Sequence, residues 1–353
     1  MTASSDPGKR CVALIFGGRS GEHDVSIVSA RSVDRALDRE KYEVVPMAID
    51  RHGLWADAET ASRVLAESSD RADDVVRFEG HNVLDPRLLD SMIDVAFPVL
   101  HGPYGEDGTI QGLFEILDLP YVGADTAASA VCMDKVFSKR MFVQAGLPTA
   151  PWVELDRGSW SDDRRGVIER SLALGLPLFV KPARLGSSVG ISKVSREGAL
   201  VEAIELALGH GEGALVERGL DAREIEVAVL GDRTPRASMP GEIVPGHEFY
   251  DYEDKYVDSA CQLFAPARLD PETTAAAQEL AVEVFRLLGC WGMARVDLFL
   301  ERDGGRLWVN EANTIPGFTS ISMYPRLWQI SGLEYPALID ELIRLAFSRR
   351  TRR

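Results

Sequence analysis

MARVDLFLERDGGRLWVNEANTIPGF, residues 293–318, is the stretch that decides the fold. It reads as two β-strands around a tight turn, with charges where strands usually carry apolar residues. Residues 295–299 predict one strand and residues 306–313 another. Asp303-Gly304-Gly305 lies between them, and glycine tolerates the positive φ that a tight turn needs. A hairpin centred on Gly304 puts Asp297 opposite Glu311 and Arg295 opposite Asn313. Directly opposed residues project from one face, roughly 5 Å apart. Two carboxylates, an amide and a guanidinium then converge on one patch. Bare carboxylates that close repel each other, and a bound cation relieves the repulsion. Oxygen donors of this kind suit Mg²⁺ or Mn²⁺, with substrate phosphates completing the shell. The spacing alone fits equally the solvated face of an exposed hairpin.

Around this hairpin lies a chain of 353 residues, long enough for two or three domains and an ample core. Its apolar share of 45% and charged share of 27% are those of a soluble globular protein. The net charge of −16 argues against nucleic acid or an anionic membrane as a general partner. It leaves room for a nucleotide held by a few local lysines. Cys11, Cys132, Cys261 and Cys290 show no metal-site or redox spacing, so reduced thiols in a cytoplasmic protein are expected. The apolar run 12–16 is too short for a signal peptide, and no segment has the length of a membrane span. The basic tail 348–353 reads as a solvated end.

Residues 12–18 predict a strand entering a Gly-rich turn, followed by a helix with apolar positions through residue 37. Strands follow at 42–49 and 94–100, a helix at 110–117 and a short strand at 120–123. This rhythm predicts an open, largely parallel α/β sheet with helices on both faces. Residues 59–87 are polar and acidic and read as a surface excursion. A second block has a helix at 134–145, strands at 178–181, 190–194, 214–217 and 224–230, and a helix at 197–208. A third block begins at 236, with helices at 273–288 and 336–347 around the opening hairpin. The expected division is therefore 1–130, 131–235 and 236–353.

Several other segments could carry chemistry. Residues 181–190, KPARLGSSVG, form a Gly/Ser-rich loop between strands that could wrap phosphate oxygens, with Lys181 at its mouth. The loop lacks the Gly-Lys-Ser/Thr ending of a P-loop and could be an ordinary flexible connection. Glu217 ends an apolar strand. Glu224 and Glu226 share one strand face, which is either a solvent face or a place where an acid bonds ribose hydroxyls. Gly17-Gly18-Arg19-Ser20-Gly21-Glu22 opens a helix but does not fit the dinucleotide fingerprint, and Glu22 could simply favour the helix dipole. HGPYGEDG, residues 101–108, ends a strand, where parallel sheets gather ligands. Its acids could equally cap the next helix. HEFYDYEDKY, residues 247–256, has the make-up of a lid or of an acidic surface loop.

Taken in order, FGGRSGEHDVS, LHGPYGEDGTIQG, YVGADTAASAVCMDK, VKPARLGSSVG, FYDYEDKY and NEANTIPGFTSIS resemble the D-alanine–D-alanine ligase family of the ATP-grasp superfamily. The resemblance covers residues 12–345. It implies an N-terminal substrate-binding α/β domain followed by a two-subdomain ATP-grasp fold, with ATP between two antiparallel sheets. It further implies that Lys135 and Lys181 contact phosphates, that the segment from Glu217 meets the adenine, that Glu224 meets the ribose and that Lys255 contributes to ATP binding. Asp297, Glu311 and Asn313 would hold Mg²⁺ or Mn²⁺, two ions in all. Glu22 would bind the ammonium of a first D-alanine, with His101 nearby. Ser187 would bond toward Tyr256 of the lid. Arg295 and the Gly317 N–H would face the reacting carbonyl, and Ser322 would help bind the carboxylate of the second D-alanine. Leu185 and Ile315 depart from residues seen in some relatives. The resemblance also implies a homodimer. Tyr256 favours an amine acceptor over the ester-forming D-lactate relatives. A nicotinamide dehydrogenase and a non-catalytic nucleotide sensor are the rivals from other classes. The broken glycine fingerprint counts against the first, and the full set of catalytic groups against the second.

Overall fold

The computed structural model describes residues 8–67, 75, 77–81, 93–186, 188–244, 262–319 and 321–350. Strands β1 (Arg10–Gly17), β2 (Tyr42–Ile49) and β3 (Val95–Pro98) form a parallel sheet in the order β2-β1-β3. Side chains alternate along β1 as the pleat requires. Val12, Leu14 and Phe16 enter one core with Ile27, Ala30 and Val33 of the helix His23–Ala36. Ala13 and Ile15 enter another, with Ile110 and Phe114 of the helix Thr109–Ile116. Burial on both faces explains why β1 reads as an unbroken apolar run.

Two sequence expectations change here. Residues 120–123 make only a single bridge, Ala96 to Tyr121, and no strand. The supposed surface excursion contains a helix, Ala58–Ala66, started by Asp57, whose side chain accepts from the Thr60 N–H at 2.7 Å. Its apolar contribution is limited to Ala61, Val64 and Leu65, three buried positions too few to stand out in an acidic segment. Buried Arg31 donates to the Val64 carbonyl at 2.8 Å and anchors the helix to the sheet layer.

The second sheet has the order β4-β7-β5-β6 and is antiparallel. It comprises β4 (Trp152–Asp156), β5 (Leu178–Pro182), β6 (Ser192–Val194) and β7 (Gly213–Arg218). The helix Leu200–Gly209 covers it through Leu200, Ala203, Ile204 and Ala207. The third sheet runs β11-β10-β8-β12-β13, with β9 on the edge of β8. Its strands are β8 (Ala222–Gly231), β9 (Arg236–Ala237), β10 (Gly241–Val244), β11 (Gln262–Phe264), β12 (Gly292–Glu301) and β13 (Leu307–Asn313). Strand β8 precedes residue 236 in sequence but pairs with β12 along its whole length. A short parallel bridge, Thr149 to Val309, joins the region before β4 to β13 and sets the second and third sheets against one another.

The last helix, Tyr335–Arg350, packs back on the first sheet. Leu338, Ile339, Leu342 and Ile343 share a core with Val12, Leu14 and Phe97. Trp291 donates to the Leu345 carbonyl at 2.9 Å. Cys132 and Cys290, far apart in sequence, bring free buried thiols within 3.7 Å of each other. Among the described residues no helix is long and apolar enough to cross a membrane.

Candidate active site

At its charged end the hairpin has the expected register, Arg295 opposite Asn313 and Asp297 opposite Glu311. A bulge then intervenes, because Leu298 pairs with Val309 and Asn310 is left over. Toward the turn the register is therefore one residue away from a hairpin centred on Gly304. Bulges re-aim side chains, and this one lets two successive residues reach lysines. Lys181 Nζ lies 3.4 Å from Asn310 Oδ1, and Lys135 Nζ lies 3.1 Å from Glu311.

Arg295 grips Asp297 with two bonds of 2.7 Å and lies 3.2 Å from Glu226. Asn313 Nδ2 donates to Asp297 at 3.0 Å. Glu226 stands directly across from Asp297 on β8 and is only 5% exposed. It does not lie on a solvent face. Alternation showed which acids share a face but not which face the rest of the chain covers. The patch is thus a row of three carboxylates across three strands, offset by Arg295 and Lys135. Among the described residues no group of three or more His, Cys, Asp and Glu is arranged to hold a metal by itself. Asp297, Glu311 and the Asn313 amide nevertheless supply hard oxygen donors on one face. Such a set fits Mg²⁺ or Mn²⁺ when phosphate oxygens complete the shell.

Opposite this patch, Lys181 pairs with Glu217 at 2.6 Å between β5 and β7. The other oxygen of Glu217 meets Lys139, whose ammonium also donates to Thr149 Oγ1 at 2.7 Å. Burial opposes charge on Glu217, but the two lysines outweigh it and pull the carboxyl down to about 2. Burial lowers the Lys139 ammonium. It acts the same way on Lys181, yet Glu217, Glu311 and Glu224 more than offset it. Lys135 donates to the Leu185 carbonyl at 2.8 Å, so it joins the Gly/Ser-rich loop to Glu311. Ser187, Lys255 and Tyr256 lie outside the described residues.

Glu22 stands at the N-cap of the helix His23–Ala36, yet its side chain makes no capping bond. It extends toward two glycines instead. A Cβ on Gly102 would lie 3.0 Å from Glu22 Oε2, and one on Gly186 3.3 Å from it. The carboxylate therefore bridges the space between the HGPYGEDG loop and the phosphate loop. His101 is buried, with Nδ1 3.0 Å from the Ile315 carbonyl and Nε2 3.3 Å from Ser29 Oγ. Gly317 backs onto Ser322, because a Cβ there would lie 2.9 Å from Ser322 Oγ. That hydroxyl accepts from the Thr319 N–H at 3.0 Å. The structure thus gathers Glu22, His101, Gly317 and Ser322 around the 101–108 loop and the turn after β13, and links Lys135, Lys181, Glu217, Glu224, Arg295, Asp297, Glu311 and Asn313 in neighbouring charged contacts.

Comparison with known proteins finds matches in both halves of the chain. The family model described as D-ala D-ala ligase N-terminus matches residues 11–124, and the one described as D-ala D-ala ligase C-terminus matches residues 141–344. The chain belongs to the D-alanine–D-alanine ligase family. Among its relatives, the D-alanine–D-alanine ligase of Thermoanaerobacter sp. (strain X514) is 48% identical, with 96% of each chain covered. That of Chlorobium limicola is 44% identical, over 96% of this chain and 97% of the other. The solved D-alanine–D-alanine ligase of Coxiella burnetii superposes with a TM-score of 0.84 at 37% identity, over 98% of this chain and 96% of that one. A D-Ala:D-Ser ligase from Enterococcus faecalis gives 0.82 at 35% identity, over 96% and 99%.

Sequence reasoning missed Lys139, Asn310 and the true setting of Glu226. Lys139 had a signal: it follows Lys135 by one helical turn, on the same face. It also missed Glu106, which was grouped with capping acids. Only its neighbour Asp107 does that work, accepting from the Thr109 N–H at 3.0 Å. Burial, and then the nearby charge of Glu22, push the Glu106 carboxyl up to about 8, although the residue keeps part of its surface exposed. At low pH both the folded and unfolded chains hold this proton. As pH rises from about 4.5 the unfolded chain loses it first, so stability falls until about pH 8. Glu106→Gln lacks that proton. The melting temperature of the native protein relative to the variant is expected to drop across this window in a thermal scan at stepped pH. A constant difference would show that Glu106 titrates normally.

Proposed function

We propose that the protein, as a member of this family, joins two D-alanines at the expense of ATP for peptidoglycan precursors. The observation that carries the proposal is Asp297 facing Glu311, with Lys135 on Glu311 and Arg295 on Asp297, at the mouth of the Gly/Ser-rich loop. Glu22 takes the ammonium of the first D-alanine, and His101 shapes that end of the site. A carboxylate is a poor electrophile, so its oxygen first attacks the γ-phosphorus and ADP leaves. Lys135 and Lys181 offset the phosphate charge, Glu217 and its segment meet the adenine, and Glu224 the ribose. Asp297, Glu311 and Asn313 would hold two Mg²⁺ or Mn²⁺ ions, which would supply further neutralisation of the phosphate charge.

The amine of the second D-alanine, held through its carboxylate near Ser322, then attacks the acyl phosphate. The new C–N bond forms first, giving a tetrahedral oxyanion that collapses with loss of phosphate and of the amine's proton. Arg295 and the Gly317 N–H stabilise the tetrahedral oxyanion, a role worth about 10²–10³ in rate for a single donor. By the family resemblance, Ser187, Lys255 and Tyr256 would serve to exclude water from the acyl phosphate. The three parts 1–130, 131–235 and 236–353 divide substrate binding, nucleotide binding and metal binding, with β8 contributed to the third part's sheet. A cytoplasmic homodimer completes the reading.

The test is ADP and dipeptide formation from ATP, Mg²⁺ and D-alanine, with parallel reactions containing added D-lactate or D-serine. D-alanyl-D-alanine from D-alanine alone is the expected product. Turnover that appears only with D-lactate or D-serine would replace the acceptor, and ADP formation independent of any amino acid would overturn the ligase reading.

A further inference from the structure

The turn that follows β13 carries Gly317 and is gripped from the N-terminal part of the chain at both of its ends. The Ile315 N–H donates to Glu106 Oε1 at 3.3 Å, while Glu106 Oε2 accepts from the Gly102 N–H at 2.6 Å. The Ile315 carbonyl lies 3.0 Å from His101 Nδ1. A carbonyl can only accept, so Nδ1 carries the hydrogen. Burial keeps the ring neutral against the opposing pull of Glu22 and the Ile315 carbonyl. Nε2 therefore presents a lone pair, which the Ser29 hydroxyl meets at 3.3 Å. The Phe318 N–H in turn donates to Ser29 Oγ at 3.4 Å. The two peptide groups that flank Ile315 are held, one by its N–H and the other by its C=O, and the residue after Gly317 is tied to the same group of side chains.

We propose that Glu106 is a positioning residue for the reaction: its bond to the Ile315 N–H, opposed by His101 on the Ile315 carbonyl, fixes the direction of the Gly317 N–H. The proposal rests on the reading of Gly317 as an oxyanion donor. Glu106 suits the task because each of its oxygens keeps a lone pair for an amide donor, with or without the carboxyl proton, and the two donors belong to separate parts of the chain. Its rigid carboxyl therefore sets the spacing between the Gly102 loop and the Ile315 turn. Asp107 handles the local capping, accepting from the Tyr104 and Thr109 N–H groups, so Glu106 has no other duty in its own loop. A glutamine of the same shape accepts through one oxygen and turns two N–H groups toward the second donor. It keeps one strap and loses the other.

The experiment compares wild type, Glu106→Gln and Glu106→Ala by steady-state kinetics and by amide hydrogen exchange of the peptide spanning residues 312–320. A misplacement of about 1 Å in an active site costs on the order of a hundredfold in rate. The expected result is a kcat lowered about a hundredfold in Glu106→Ala and about tenfold in Glu106→Gln, with KM for ATP within about twofold of wild type. Exchange should quicken within residues 314–319 and stay unchanged in β12. Unchanged exchange in both variants would overturn the brace. Faster exchange across the whole chain would also overturn it, by showing a general loss of stability. Local loosening with an unchanged kcat would uphold the brace and overturn instead the assignment of Gly317 as an oxyanion donor.

Discussion

Replacing Asp297 with asparagine is expected to lower turnover by more than the roughly 10–100-fold that loss of an outer-shell partner costs at a metal site. The exchange keeps the shape of the side chain and removes its charge. Three bonds converge on Asp297, two from Arg295 and one from Asn313. An asparagine can satisfy some of them but cannot balance a cation. The half-saturating Mg²⁺ concentration should rise together with the fall in kcat, and a titration of rate against Mg²⁺ separates the two effects. The guanidinium retains Glu226 at 3.2 Å, so the variant should stay folded. Turnover close to wild type at low Mg²⁺ would show that the hairpin face does not hold the metal.

The second large effect belongs to Arg295. Arg295→Lys keeps the charge and loses the planar fork that grips Asp297 with two bonds. Its kcat is expected to fall about 10²–10³-fold, the cost of losing one oxyanion donor, while KM for ATP holds. Arg295→Met goes further and leaves Asp297 and Glu226 together without their cation. Breaking a buried pair in this way costs about 3–5 kcal/mol, so the urea midpoint should drop sharply. A methionine variant as stable as the parent would mean that the two acids find another partner. A lysine variant with unchanged kcat would remove Arg295 from the reaction.

The sequence showed most clearly what depends on neighbours along the chain. The Asp297–Glu311 pairing follows from a glycine turn and a period of two, and it holds where it matters. The bulge at Asn310 was invisible because nothing in the local sequence breaks alternation there. Glu226 could be put on a face but not under cover, since what covers it comes from other strands. Lys139 meets Glu217 across 78 positions of chain, and Glu106 meets Ile315 across more than 200. Such contacts follow from how the sheets are stacked, which no window of a dozen residues contains. The helix Ala58–Ala66 illustrates the opposite difficulty: its burial depends on three small or medium side chains, and composition around them masks it.

The docking of the helix Tyr335–Arg350 on the first sheet has a consequence for the order of biosynthesis. Leu338, Ile339 and Leu342 share a core with Val12, Leu14 and Phe16 but are made long after them. The first sheet therefore cannot finish its core while the ribosome is still making the middle of the chain. Until then that apolar face has only part of its cover, from the helix His23–Ala36, and partly covered apolar surface is the condition in which nascent chains call on chaperones. The part of the molecule that reads most plainly as an independent domain is one whose core waits for a helix encoded far downstream.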